Sequence, residues 1–253
     1  MSAADRPTRI SYFVTSDQES DARTLGHSTF VIEWEDGKIL LIDTGMDRAN
    51  AIEFGELFET LLGADPATFY GTVPDLMGDD IARVEGIGFT HLHVDHVQGI
   101  EAICGEIDRP VTILQTSDQA TEHNLHTSEQ ADMLEANSCA QQVRLAEGER
   151  ASPDFPGIGI YPMGGHTPGS TMFAVPVGDT LWLLSGDIAN TRENLVENHP
   201  KGFFYSYLMV PEYEARLEQI RLLLMEFDAE PNINVIVSHD AEAISASGME
   251  LWE

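Results

Sequence analysis

Lysine is almost missing from this chain: only Lys38 and Lys201 occur, and the basic residues total 13 against 43 acidic ones, for a net charge of −30. A surface of that sign repels polyanions, so nucleic acid and anionic membrane are excluded as partners, and the excess acid reads as a solvating shell. Cysteine is equally scarce. Cys104 and Cys139 are too few for a disulfide framework and are compatible with a reducing compartment. Long apolar runs are missing too. Ile39-Leu-Leu-Ile42 and Leu222-Leu-Leu-Met225 fall far short of the roughly 20 residues that a membrane span requires. The start, MSAADRPTRISYF, has no apolar segment followed by a small-residue cleavage site, so the chain reads as cytoplasmic. Low-complexity tracts, repeats and Pro/Gly/Ser linkers are lacking as well, which favours one domain over residues 1–253.

A hydrophobic content of 42% is enough for a sizeable core. Strand-like apolar runs recur at Ile10–Val14, Thr29–Trp34, Lys38–Asp43, Ile87–Thr90, Val111–Gln115, Gly157–Met163, Thr171–Val177, Thr180–Ser185 and Asn234–Ser238. Gly178-Asp179 reads as a tight hairpin between two of them. Helical spacing puts Phe54, Leu57, Phe58, Leu61 and Leu62 on one face. It does the same for Tyr213, Leu217, Ile220, Leu224 and Phe227, with Pro211 near the helix start. The order of elements predicts a mixed α/β fold of two sheets covered by helices.

The densest chemistry lies in Thr90-His-Leu-His-Val-Asp-His96, directly after the apolar Gly86-Ile-Gly-Phe89. His91, His93 and Asp95 alternate at the period of an extended backbone, with His96 at the turn. Neutral imidazole and carboxylate are ligands for a divalent ion such as zinc, and two ions relieve the crowding of four ligands in so short a span. Further donors stand at predicted strand ends. His166 lies in the glycine-rich turn Met163-Gly-Gly-His-Thr-Pro-Gly169, Asp187 follows Ser185-Gly186, and His239 follows Val237-Ser238.

With these residues in register, behind Leu41-Ile-Asp-Thr-Gly45, the sequence resembles the metallo-β-lactamase-fold hydrolases over almost its whole length. The resemblance implies an αββα sandwich with two divalent metal ions at one sheet edge, zinc first and manganese, iron or cobalt as alternatives. It assigns His91, His93 and His166 to one ion, Asp95, His96 and His239 to the other, and Asp187 to the bridge. Two such ions share a water and present hydroxide at neutral pH. Asp95 is then placed to pass a proton to the leaving group, while Asp43 is read as steadying a histidine ligand.

Within the superfamily the chain is most similar to the N-acyl homoserine lactonases, in His166–Gly169, Gly186-Asp187, Thr191–Leu195 and Ser238–Asp240. That likeness implies lactone opening and quorum quenching. Two positions depart from it. Asn190 stands where the lactonases carry a tyrosine that contacts the lactone carbonyl, and Gln98 where many relatives have glycine. An amide can still donate to an oxyanion, so Asn190 is kept as a catalytic and substrate-binding candidate, against the alternative that it caps the helix beginning near Thr191. Lys201–Val210 reads as core, with Phe203, Phe204 and Tyr207 as substrate contacts if the segment instead walls an acyl pocket. The other histidines receive plain readings: His27 structural at a strand edge, His123 and His126 a helical surface pair, His199 in a loop. The alternatives are a glyoxalase-II-like thioesterase, a general esterase, a β-lactamase on the same fold and a non-enzymatic metal-binding scaffold. The expected partner is a small lactone or ester; the oligomeric state is open, a homodimer included.

Overall fold

A computed structural model describes residues 6–20, 23–202, 206 and 210–253 of the chain. β1 (Arg9–Glu19) and β2 (Thr24–Glu33) form a long antiparallel pair, and β3 (Ile39–Ile42) returns antiparallel to β2 after a turn at Glu35-Asp36. The chain then leaves through α1 (Arg48–Leu62), adds the short β4 (Thr68–Phe69) to β1, and passes α2 (Val73–Met77) before β5 (Val84–Gly88) pairs parallel with β3. α3 (Val94–Val97) and α4 (Ile100–Glu106) lead to β6 (Val111–Gln115). α5 (Ser117–Thr121) and α6 (Ser128–Ala136) lead to β7 (Ala140–Arg144), and both strands extend the sheet in parallel.

A second sheet contains β8 (Gly159–Pro162), β9 (Thr171–Val177) and β10 (Thr180–Leu184), joined antiparallel, with the expected hairpin at Gly178-Asp179. After α7 (Arg192–Val196) and α8 (Glu214–Asp228), β11 (Ile233–Ile236) pairs parallel with β10. Finally α9 (Ala241–Ala246) carries the chain back to β12 (Glu250–Leu251), on the outer edge of β1. Among the described residues the sheet orders are β12-β1-β2-β3-β5-β6-β7, with β4 on β1, and β11-β10-β9-β8.

The alternation of side chains along β3 shows how the layers form. Ile39, Leu40, Leu41 and Ile42 are all fully buried. Leu40 and Ile42 enter the core between the sheets, with Phe30, Phe173 and Leu184. Ile39 and Leu41 face the other way, into a second core with Val73, Ile100, Ile103 and Leu134 of the helices. A strand covered on both faces is a continuous apolar run, which is what the sequence carries there. On the far side of the small sheet, Leu183 and Val235 pack against Leu217, Ile220 and Leu224 of α8. The layers are therefore helix, sheet, sheet, helix: the αββα sandwich.

Gly88 shows how the two sheets approach beneath the histidine-rich loop. A Cβ there would lie 2.6 Å from the Phe173 ring, so only glycine lets β5 and β9 close up at this level. One sequence reading changes at the cysteines. Cys104 on α4 and Cys139 just before β7 are joined as a disulfide with Cα atoms 5.5 Å apart, a pairing that a separation of 35 residues hides in the sequence. The cysteine argument for a reducing compartment therefore lapses. Among the described residues no helix is long and apolar enough to cross a membrane.

Candidate metal centre

The loops after β3, β5, β8, β10 and β11 converge at one edge of the sandwich, and each carries one of the expected polar residues. His91 and His93 extend from β5. His93 is the extended N-cap of α3, so Asp95 and His96 sit on the first helical turn instead of continuing the extended alternation expected for Asp95. The change follows from the helix start: a carboxylate in the first turn is favoured there, and consecutive helical positions let Asp95 and His96 reach a second cluster that His91 and His93 do not.

Two groups of donors result. His91 Nε2 and His93 Nδ1 are 3.0 Å apart, and His166 Nε2 lies 3.2 Å from the first and 3.1 Å from the second. In the other group His96 Nε2 and His239 Nε2 are 3.3 Å apart, and Asp95 Oδ2 lies 3.5 Å and 3.3 Å from them. Asp187 stands between the two. Its Oδ2 is 3.1 Å from His239 and 3.7 Å from His166, and its Oδ1 is 3.6 Å from His96. All seven residues are buried.

Four of the five imidazoles are oriented from behind. Asp43 accepts at Oδ1 from Thr90 N–H (2.7 Å) and at Oδ2 from the Thr90 hydroxyl (2.7 Å) and His96 Nδ1 (2.8 Å). It does so in a left-handed conformation (φ 61°) that non-glycine residues seldom adopt. With its proton given to Asp43, the Thr90 oxygen can accept from His91 Nδ1, 3.3 Å away. His239 Nδ1 donates to the Gly26 carbonyl (2.9 Å). His166 Nδ1 donates to Glu212 Oε1 (2.6 Å), whose other oxygen accepts from the Ser206 hydroxyl (2.6 Å) while Lys201 Nζ lies 2.9 Å from the first. Each contact fixes the proton on the outer nitrogen and turns a lone pair inward. Asp43 thus contacts one of the clustered histidines, His96. Glu212, Lys201 and Ser206 went unforeseen; the only hint was that Lys201 is one of two lysines.

Charge in this cluster is uneven. Burial holds His91, His93 and His166 below the ordinary histidine range. Burial would lower His96 and His239 as well, but the surrounding Asp43, Asp95 and Asp187 carboxylates outweigh it, raising His96 and bringing His239 up to about 10. Against their own desolvation, the neighbouring imidazoles draw Asp95 and Asp187 below the usual carboxylate range.

The residues fit divalent cations. Imidazole lone pairs facing one another at 3.0–3.2 Å repel unless something positive lies between them. Ligands of a tetrahedral ion with bonds of about 2 Å are themselves about 3.3 Å apart. Asp187 Oδ1 is buried without a hydrogen-bond partner, as expected of an atom shaped for a cation.

The centre opens into a cleft of about 370 Å³. Its floor is His93, Asp95, Asp187 and His239, and its walls include Leu25, Phe54, Leu57, Phe58, Val94 and Val210. Phe54, Leu57 and Phe58 of α1 therefore wall the cleft, which explains why Leu57 remains 45% exposed. Asn190 lines the cleft and its carbonyl accepts from Arg23 (2.7 Å). It does not cap the next helix: Thr191 does, accepting from Asn194 N–H. Gln98 lies aside, its amide donating to Asp47 and Glu101 at 2.9 Å each. His126 lies in a turn between α5 and α6, not on a helical face, and lines the same cleft with its ring 6.2 Å from that of His93. His123 precedes that turn outside any helix. His199 is a loop residue beside Glu197, as expected. His27 is buried on β2, paired with Ser16 of β1 beyond the Phe30–Glu33 stretch that β3 flanks. Phe203, Phe204 and Tyr207 lie outside the described residues.

Comparison with known proteins agrees with this architecture. Residues 22–227 match the family described as the metallo-beta-lactamase superfamily. No curated protein matches the chain in sequence. Among solved structures, an N-acyl homoserine lactone hydrolase holding the product N-hexanoyl-L-homoserine at its catalytic metal centre is similar, with a TM-score of 0.69 at 17% identity over 98% of both chains. A variant of AiiA from B. thuringiensis with N-decanoyl-L-homoserine in its active site gives 0.67 at 16% identity, again over 98% of both. A probable metal-dependent hydrolase from Staphylococcus aureus gives 0.60 at 15% identity, covering 95% of this chain and 91% of that one. At these identities the likeness is one of fold.

Proposed function

The chain belongs to the metallo-beta-lactamase superfamily, and on that premise we propose that it is a dinuclear metal-dependent hydrolase that opens N-acyl homoserine lactones. The observation that carries this reading is the pairing of two donor groups about Asp187 with an apolar-walled cleft that opens directly onto them. His91, His93 and His166 would hold one divalent ion, Asp95, His96 and His239 the other, and Asp187 both, with zinc the first candidate for each. Ions held there would polarise a carbonyl and lower the pKa of water towards neutrality.

The chain's own groups divide the remaining work. Asp95 turns Oδ2 to His96 and His239, which leaves its other oxygen to take a proton and return it to the departing alkoxide. Asn190, which lines the cleft, would donate its amide to the carbonyl oxygen as negative charge develops there. Phe54, Leu57 and Phe58 offer the acyl chain a dry surface that no small, purely polar ester would use.

A hydrolysis panel tests the reading: an acyl homoserine lactone, a γ-lactone without the acyl amide, an aryl ester, a thioester and a β-lactam. The acyl lactone is expected to exceed the others at least tenfold in kcat/KM, and similar rates on all five would reduce the protein to a general esterase. Asn190→Ala should lower kcat about 10- to 100-fold with metal content unchanged, as loss of one shielded hydrogen bond predicts. A lower melting point with unaltered kcat would instead make Asn190 a structural residue.

A further inference from the structure

His27 is the one buried imidazole at this centre, among the described residues, that the ligand assignment above leaves unused. It is 4% exposed, and its Nε2 has no hydrogen-bond partner. A buried polar nitrogen left unpaired is costly, so its persistence asks for a reason. Asp95 Oδ2 lies 3.7 Å from it, too far for a hydrogen bond.

The other end of the ring is fixed. Ser16 and His27 are register partners across the β1–β2 ladder, and Ser16 Oγ lies 3.0 Å from His27 Nδ1. If the hydroxyl accepts the Nδ1 proton, Nε2 carries the lone pair, and that is the atom turned towards Asp95. The ring is also held on two sides, edge-on to Phe54 at 5.3 Å and to His239 at 5.4 Å between centroids. Donor atoms of His27, Asp95 and His239 all lie within 4.8 Å of one another. This is the same arrangement that His96 shows: an outer nitrogen tied to an oxygen, an inner nitrogen aimed at the Asp95 side of the centre.

We propose that His27 is a further ligand of the ion held by Asp95, His96 and His239. The inference rests on the dinuclear reading and adds to it: the Asp95-side ion then has five protein donors, counting Asp187, whereas the His91-side ion has four. Zinc accepts five ligands, and cobalt and manganese accept five or six readily. The consequence is an asymmetric centre in which the Asp95-side ion is held more tightly than the other. Ser16 acts only through His27, by fixing which nitrogen is free.

The test is metal binding, independent of turnover. Wild type, His27→Ala and His27→Gln are stripped with a chelator and reloaded with zinc, then with cobalt. Elemental analysis gives the stoichiometry, competition with a chromophoric chelator gives the two affinities, and the visible d–d bands of cobalt report coordination. Wild type should hold two ions. Both variants should bind one of them at least about tenfold more weakly, with the other unchanged within about twofold and with altered cobalt bands. Melting of the metal-free proteins confirms that the variants fold, and the glutamine variant serves if the alanine variant does not. Two unchanged affinities and an unchanged cobalt spectrum would overturn the inference, even if KM rose, because His27 would then be a substrate contact. A wild type holding a single ion would overturn the dinuclear reading itself, and is distinguished by needing no variant.

Discussion

At the scale of single residues, the environments of the imidazoles differ enough to be read out. In the metal-free protein the carboxylates around His96 and His239 outweigh burial and keep both raised, His239 to about 10, so His239 carries a second proton at pH 7. His91, His93 and His166 are held low by burial and by one another or by Lys201, so they do not. A ligand nitrogen must give up its proton to bind, so an ion on the Asp95 side would displace more protons than one on the His91 side. Apparent affinity at the Asp95 side should therefore rise as pH increases towards the raised values and fall as pH decreases, while the other side stays flat across pH 7–8. Zinc titration calorimetry in buffers of different ionisation enthalpy measures the protons released, and equal release at both sides would contradict this account. Behind His166, Glu212 has a comparable role. Although burial opposes its ionisation, contact with His166 and Lys201 holds its carboxyl down at about 2, so at neutral pH it is a full acceptor for the His166 Nδ1 proton. Glu212→Gln keeps the shape but weakens that acceptor. It should cost about 10- to 100-fold in affinity for the His91-side ion, the usual effect of losing a partner behind a ligand, and leave the Asp95 side alone.

At the scale of elements, the parts legible in the sequence were those where one periodicity decides. β3 reads as a strand because all four of its residues are covered on both faces, and α8 reads as a helix because Leu217, Ile220 and Leu224 recur on its core side. The strands missed were β4 and β12, two residues each, and β7, whose Ala-Gln-Gln-Val-Arg has no apolar alternation because it is an edge strand with three of its five residues exposed. The residues gathered at the candidate centre were legible because each follows a strand. His27 and Glu212 were not, since one lies within a strand and the other precedes a helix, and only packing brings them to the centre. The disulfide was hidden in the same way. It ties α4 to the start of β7 across 35 residues, and closing a loop of that length in the unfolded chain contributes about 3–4 kcal/mol. Replacing both Cys104 and Cys139 by alanine should lower the melting temperature by roughly 5–15 °C with turnover unchanged. An unaltered melting point would mean that the bond is not formed in solution.

At the scale of the whole molecule, the charge of −30 and the metal centre act on a substrate at different distances. The acidic surface acts over a Debye length, about 30 Å at 0.01 M salt and about 8 Å at 0.15 M. It therefore governs approach at low ionic strength and little else. Within the cleft, the charges of two bound divalent ions would outweigh those of Asp95 and Asp187 and set the local field. An acyl homoserine lactone is neutral, so neither its approach nor its binding depends on the outer field. A carboxylate-bearing thioester or β-lactam must first cross a repulsive potential. Between 10 mM and 200 mM sodium chloride, kcat/KM for the neutral lactone should stay within about twofold, while that for an anionic thioester should rise several-fold as the surface is screened. Over the same range the melting temperature should climb, because salt relieves the repulsion among 43 acidic residues and 13 basic ones. The kinetic comparison separates the substrate classes without knowledge of the native compound. An anionic substrate turned over faster than the lactone at both salt concentrations, with no rise between them, would remove the argument that the acidic surface selects a neutral ester and would favour the thioesterase reading instead.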